Sequence, residues 1–142
     1  MKKLIVILFC TTIFYSCSKE EPVKIETFSP EAFAYDIGEG WEVDATTRVK
    51  GFVQNEKEGK YRATLAYDVD LVTPKGDTVK SLISKVEDKT DDKERMTDVS
   101  LEAQIPLDST YALGNYKILF RIKDVLSNQT ATSTASFKLS KD

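Results

Sequence analysis

The chain has 142 residues, enough for one domain with its own core, and carries 23 acidic against 20 basic residues, a net charge of −3. It has no histidine and only two cysteines, Cys10 and Cys17. Those counts exclude Ser-His-Asp and Cys-His catalysis and the usual zinc and copper sites, and the acid balance leaves no basic footprint for nucleic acid.

The N-terminus reads as a targeting segment. Lys2 and Lys3 form a basic start, and Leu4 to Tyr15 is apolar apart from Thr11 and Thr12. That run is too short to cross a bilayer as a helix, which takes about 20 apolar residues, and it suits the hydrophobic part of a signal peptide. It stops at Ser16-Cys17.

"FYSC" (Phe14 to Cys17) resembles the lipobox of bacterial lipoproteins, in which a small residue precedes a lipidated cysteine. The resemblance implies cleavage between Ser16 and Cys17, lipidation of Cys17, and stable membrane attachment, which takes more than one acyl chain. Phe14 and Tyr15 depart from the usual Leu and small residue. The following Ser18, Lys19, Glu20 and Glu21 resemble the short export signal of Bacteroidota surface lipoproteins, which implies an outer-membrane protein displayed on the cell surface; a periplasmic orientation is the alternative. Cleavage would remove two lysines, leave 18 basic residues against 23 acidic ones, and move the net charge to −5. The expected organisation is a signal peptide over 1–16, a lipid-anchored Cys17 with a tether over 17–30, and one domain over 31–142.

In chain order, "VKIETF" (Val23 to Phe28) alternates weakly between Pro22 and Pro30, as an edge segment does. Phe33, Tyr35 and Ile37 share one parity before a turn at Gly38 and Gly40. From Trp41 to Val53 the alternation is strong, with Trp41, Val43, Ala45, Thr47 and Val49 on one face. Phe52 falls out of phase, and Gly51 beside it is a candidate bulge.

A turn over Asn55 to Lys60 leads into a strand with Tyr61, Ala63, Leu65, Tyr67, Val69 and Leu71 inward. "TPKGD" (Thr73 to Asp77) is a turn signal, and Thr78 to Val86 a partner strand. Glu87 to Asp98 is the most polar segment and reads as an exposed loop. Three further strands follow, with Val99, Leu101, Ala103 and Ile105, then Tyr116, Ile118, Phe120 and Ile122, then Ala131, Ala135, Phe137 and Leu139 inward.

Seven to eight strands joined mostly by short turns predict an all-β, antiparallel two-sheet sandwich, with an up-and-down barrel as the alternative. "LGNYKILFRIKD" (Leu113 to Asp124) resembles the penultimate strand of Ig-like and fibronectin-type domains. By that resemblance Gly114 and Tyr116 form a tyrosine corner, with the Tyr116 hydroxyl bonding back to the preceding loop. Ile118 stands where antibody domains carry their second cysteine.

Candidate chemistry is sparse. Asp68 and Asp70 lie on one strand face about 7 Å apart, a spacing open to paired acid/base work or a hard cation, or to nothing more than a solvated face. Glu87, Asp88, Asp91, Asp92, Glu94 and Asp98 are oxygen-rich but interleaved with Lys89, Lys93 and Arg95, and no glycine shapes them into a calcium loop. Phe52 and Tyr111 are aromatics that the pattern does not bury, whereas Trp41 heads a buried parity. Thr130, Thr132, Thr134 and Ser136 form a hydroxyl stripe on the last strand, which as an edge can accept a partner strand. Asp77–Val79 and Asp108–Thr110 resemble the Bacteroidota O-glycosylation triplet, with Thr78 and Ser109 as acceptors. The expectation is a non-enzymatic binding module that needs no cofactor and no metal and has an unidentified protein or glycan ligand. An accessory glycan-binding lipoprotein is the first alternative, and a carboxylate-dependent hydrolase using Asp68 and Asp70 the second.

Overall fold

The computed structural model describes residues 23–141. Cys17, with Ser16, Ser18, Lys19, Glu20 and Glu21, lies outside the described residues. Eight strands follow one another: β1 (Glu26–Asp36), β2 (Gly40–Lys50), β3 (Asn55–Lys57), β4 (Lys60–Val72), β5 (Thr78–Asp91), β6 (Asp98–Asp108), β7 (Gly114–Asp124) and β8 (Thr130–Leu139). They form two antiparallel sheets. One has the order β1-β2-β6; in the other, β5 pairs with one edge of β4, and β7 and the short β3 share the opposite edge, with β8 beyond β7. The chain is an all-β two-sheet sandwich.

Alternation decides the core. Val43, Ala45, Thr47 and Val49 of β2 and Val99, Leu101, Ala103, Ile105 and Leu107 of β6 face Ala63, Leu65, Tyr67, Val69 and Leu71 of β4 and Tyr116, Ile118, Phe120 and Ile122 of β7. Their apolar burial supplies the main driving force, at about 25 cal/mol for each Å² removed from water. Polar contacts also join the two sheets within this core: Thr47 Oγ1 donates to Ser133 Oγ at 2.8 Å, both residues buried, and the Tyr67 hydroxyl of β4 lies 2.8 Å from Glu102 O of β6.

Several boundaries differ from the sequence reading. The ordered domain starts before residue 31: Ile25 is buried, and "ETFSPEAFAYD" is one strand that takes in both segments flanking Pro30. The register with β2 slips by one residue between Phe28 and Glu31, where Ser29 has φ 49°. A proline has no N–H to give a ladder, and the bulge accommodates it. The expected loop over Glu87 to Asp98 is strand as far as Asp91, pairing Glu87 with Leu65 and Asp91 with Tyr61. Phe52 is buried rather than exposed: β2 ends at Lys50, and Gly51 (φ 73°) turns the chain so that Phe52 points into the core.

The strand directions define two poles. Ile25, the β2–β3 link and the β7–β8 turn lie at one. The β1–β2, β4–β5 and β6–β7 turns and the C-terminal end of β8 lie at the other. The first pole is tied by side chains. The Ile25 N–H donates to Gln129 Oε1 at 3.2 Å, and Gln129 Nε2 donates to Val23 O at 2.9 Å. Asp124, fully buried, accepts from Val53 N at 2.8 Å, Leu126 N at 3.0 Å and Ser127 Oγ at 2.7 Å. The chain therefore enters the sandwich at a fixed place.

Candidate functional site

Asp68 and Asp70 do face one side of β4, and the structure surrounds them with a cation. Arg121 of β7 donates to Asp70 through Nε (2.9 Å to Oδ2) and Nη2 (3.0 Å to Oδ1), and its Nη1 lies 3.4 Å from Asp68 Oδ2. In β5 the register gains two residues between Val79 and Ile83, and at this bulge Ser81 (φ 52°) turns its N–H to Asp70 Oδ1 at 2.7 Å. Ser84 closes on Asp68. Arg121 chiefly, with the Ser81 N–H, holds the buried Asp70 carboxyl below its ordinary range against the opposing effect of burial. A shallow groove of about 580 Å³ runs beside this cluster, between Val86, Lys123, Thr130 and Thr132.

Tyr67, facing inward, lies 2.8 Å from Glu102 O and 3.0 Å from Glu87 Oε1. Burial, and then the Glu87 carboxylate, push its hydroxyl far above the ordinary tyrosine value. It is a strut between β4, β5 and β6 rather than a nucleophile. Five acidic residues of the polar segment are engaged elsewhere: Glu87 with Lys89 at 2.6 Å, Asp88 with Thr64 Oγ1 at 2.6 Å, Asp92 with Lys60 at 3.3 Å, Asp98 with Arg48, and Asp91 with the Lys93 and Glu94 N–H groups. No three metal-ligating side chains are grouped among the described residues.

The second pole carries a separate cleft of about 330 Å³. Asp36, Gly38 and Gly40 of the β1–β2 turn form one side, Ser109 to Leu113 of the β6–β7 turn the other, with Trp41 and Lys141 completing it. Trp41 is 4% exposed, as its parity predicts. Its indole Nε1–H has no hydrogen-bond partner among the described residues. Tyr111 is half-buried and packs its ring 6.5 Å from that of Tyr116. Gly114 opens β7, and the Tyr116 hydroxyl donates to Ala112 O at 2.7 Å, bracing the β6–β7 turn. Asp108 braces the same turn by accepting from Thr110 N at 2.8 Å.

Other candidates are placed as follows. Thr78 and Ser109 are both exposed, at this same pole. The hydroxyl stripe of β8 faces solvent, but its edge is partly covered where Thr27 Oγ1 donates to Thr132 O at 2.8 Å. Phe33, Tyr35 and Ile37 stand more than half exposed along the outer face of β1 and just beyond its end. The sequence did not single out Arg121, and it marked Asp124 only as the residue that ends the penultimate strand before the turn. Arg121 on a wet strand face is visible only once β4 and β7 are aligned. Asp124 carries a local signal, an Asp three residues before a Ser in a turn.

No known family model matches the chain, and no curated protein matches it in sequence. Three solved structures align with the chain, each at low identity and a TM-score below 0.5. A family 123 glycoside hydrolase from Clostridium perfringens aligns over 78% of this chain at 11% identity and a TM-score of 0.48, and the match covers 22% of that enzyme. A structural-genomics target aligns over 84% of the chain at 13% identity (TM-score 0.40), covering 87% of the target. The N-terminal domain of PorA aligns over 81% at 11% identity (TM-score 0.37), covering 96% of that domain.

Proposed function

We propose that the chain is a lipid-anchored, surface-displayed, non-enzymatic binding module that presents the pole of the sandwich opposite the one where Val23–Ile25 enter it. One observation carries the reading: the chain enters at the pole pinned by Gln129, and the cleft formed by Trp41 and Tyr111 opens at the opposite pole. An anchor at Cys17 would then hold the first pole toward the membrane and turn the cleft outward. The Arg121 clamp supports the non-enzymatic part, because a carboxyl held ionised below the usual range makes a poor general acid at neutral pH.

The test is metabolic labelling with a fatty-acid analogue in cells producing wild type and Cys17→Ala, followed by protease treatment of the intact cells. The reading expects label on wild type alone and loss of the wild-type protein to external protease. An unlabelled wild type overturns the anchor; a labelled but protected one overturns surface display.

A further inference from the structure

The cleft at the second pole combines three features that together define a ligand chemistry. The first is an unmet donor. An indole N–H can only donate, and burying a donor without a partner is unfavourable. Trp41 lines the cleft, and its Nε1–H is such a group, buried and without a partner among the described residues. The fold has not simply run out of acceptors: the turn beside it makes short, well-placed bonds at Asp108 and Ala112. The nitrogen is shielded from solvent, so a bond from it to a ligand oxygen requires the lining turn to shift.

The second feature is the set of polar groups around it. Asp36 uses one carboxylate oxygen to accept from Gly38 N at 2.8 Å, which leaves the other to accept from a ligand hydroxyl. Ser109 and Thr110 bring hydroxyls. Asp36 and Lys141 carry opposite charges, so the cleft selects for neither an anion nor a cation.

The third is an apolar surface for ring C–H groups, in Tyr111 and Leu113, the latter 52% exposed. A volume of about 330 Å³ lies at the lower end of the range for small-ligand sites, about 300–1,000 Å³. A neutral molecule with many hydroxyls and one apolar face meets all three conditions.

We propose that the cleft between the Asp36–Gly40 and Ser109–Leu113 turns binds a neutral saccharide unit, with Trp41 Nε1–H donating to a sugar oxygen, Asp36 accepting from a sugar hydroxyl and Tyr111 packing against the ring. This deepens, and rests on, the binding-module reading.

Trp41 is the chain's one tryptophan, so its emission reports this cleft alone. The full chain in detergent is titrated with neutral oligosaccharides of glucose, galactose, mannose and N-acetylglucosamine. The expected result is a saturable change in Trp41 emission with at least one of them. Asp36→Asn and Tyr111→Ala should each weaken binding about tenfold or more in a chain that still folds; Asp36 is the exposed last residue of β1, and Tyr111→Ala, which also removes packing against Tyr116, is compared at a temperature well below its own melting point. Trp41→Phe, read by calorimetry, should bind more weakly and keep the fold. No emission change with any sugar up to tens of millimolar overturns the inference. So does binding that Asp36→Asn and Tyr111→Ala leave unaltered. If no sugar binds while the labelling and shaving results hold, the saccharide fails and the anchored module stands.

Discussion

Arg121 grips Asp70 with two parallel hydrogen bonds, Nε to Oδ2 at 2.9 Å and Nη2 to Oδ1 at 3.0 Å, and thereby joins β7 to β4 on the outer face of the larger sheet. The pair turns an acid dyad into a clamp. Asp70 is 2% exposed, whereas the Arg121 side chain is 41% exposed and keeps part of its hydration. A charge-assisted, two-pronged bond of this kind is worth about 1.5–3 kcal/mol, toward the lower end here because water screens the guanidinium.

Asp70→Asn should therefore lower stability by about 2 kcal/mol at pH 7. The pH dependence has a definite sign. The folded carboxyl titrates below its ordinary value, chiefly because of Arg121. Its contribution is complete above the unfolded value of about 4 and is lost as pH falls through the folded one. Denaturant melts at pH 7, 5, 4 and 3 should show the wild-type advantage over Asp70→Asn holding to about pH 5 and shrinking below 4. An advantage that grows on acidification would contradict the assignment.

Thr47 and Ser133 test the polar bridge inside the core. Thr47→Val leaves the Ser133 hydroxyl buried without its partner, and Ser133→Ala does the same to Thr47. Each should cost about 1–2 kcal/mol. The double variant removes both polar groups and should be more stable than the two single costs predict, a coupling of about 1 kcal/mol in a double-mutant cycle. Additivity would mean that each hydroxyl finds another partner.

Phe52 and Phe33 should behave in opposite ways to what parity implies. Phe52, out of phase with β2, is 4% exposed, and Phe52→Ala should cost about 3–5 kcal/mol. Phe33 is 55% exposed on the outer face of β1, and Phe33→Ser should stay within about 0.5 kcal/mol of wild type in thermal or denaturant melts. The contrast marks where the sequence is legible. Alternation located β2, β4, β6, β7 and β8 because each of those strands buries one face and wets the other. It failed at Phe52 because one glycine with positive φ resets the phase.

It failed again at Glu87 to Asp91. β5 is an edge strand, and its inward Glu87 is satisfied by Lys89 and lies within hydrogen-bond reach of the Tyr67 hydroxyl, so a polar residue serves where an apolar one is expected. The Trp41–Tyr111 cleft was half visible. Both aromatics can be picked out from parity, but their meeting needs the β1–β2 and β6–β7 turns to share a pole, which only the topology supplies.

Two glycines separate backbone strain from crowding. Gly51 and Gly59 have nearly the same φ, 73° and 75°, so an L side chain meets similar strain at both. At Gly59, in the β3–β4 turn, a Cβ would find nothing within 4 Å. Gly59→Ala should cost about 1 kcal/mol, the left-handed penalty alone. At Gly51 the same atom would sit 2.0 Å from Lys24 O and 2.9 Å from its carbonyl carbon, so the backbone entering the sandwich must move. Gly51→Ala should thus cost clearly more than Gly59→Ala. It should also loosen Val23–Ile25 from Gln129, read as faster amide exchange at Ile25, whose N–H donates to that side chain. Equal costs for the two variants, with Ile25 exchange unchanged, would mean that the N-terminal segment packs against this turn too loosely to fix where the chain enters the domain.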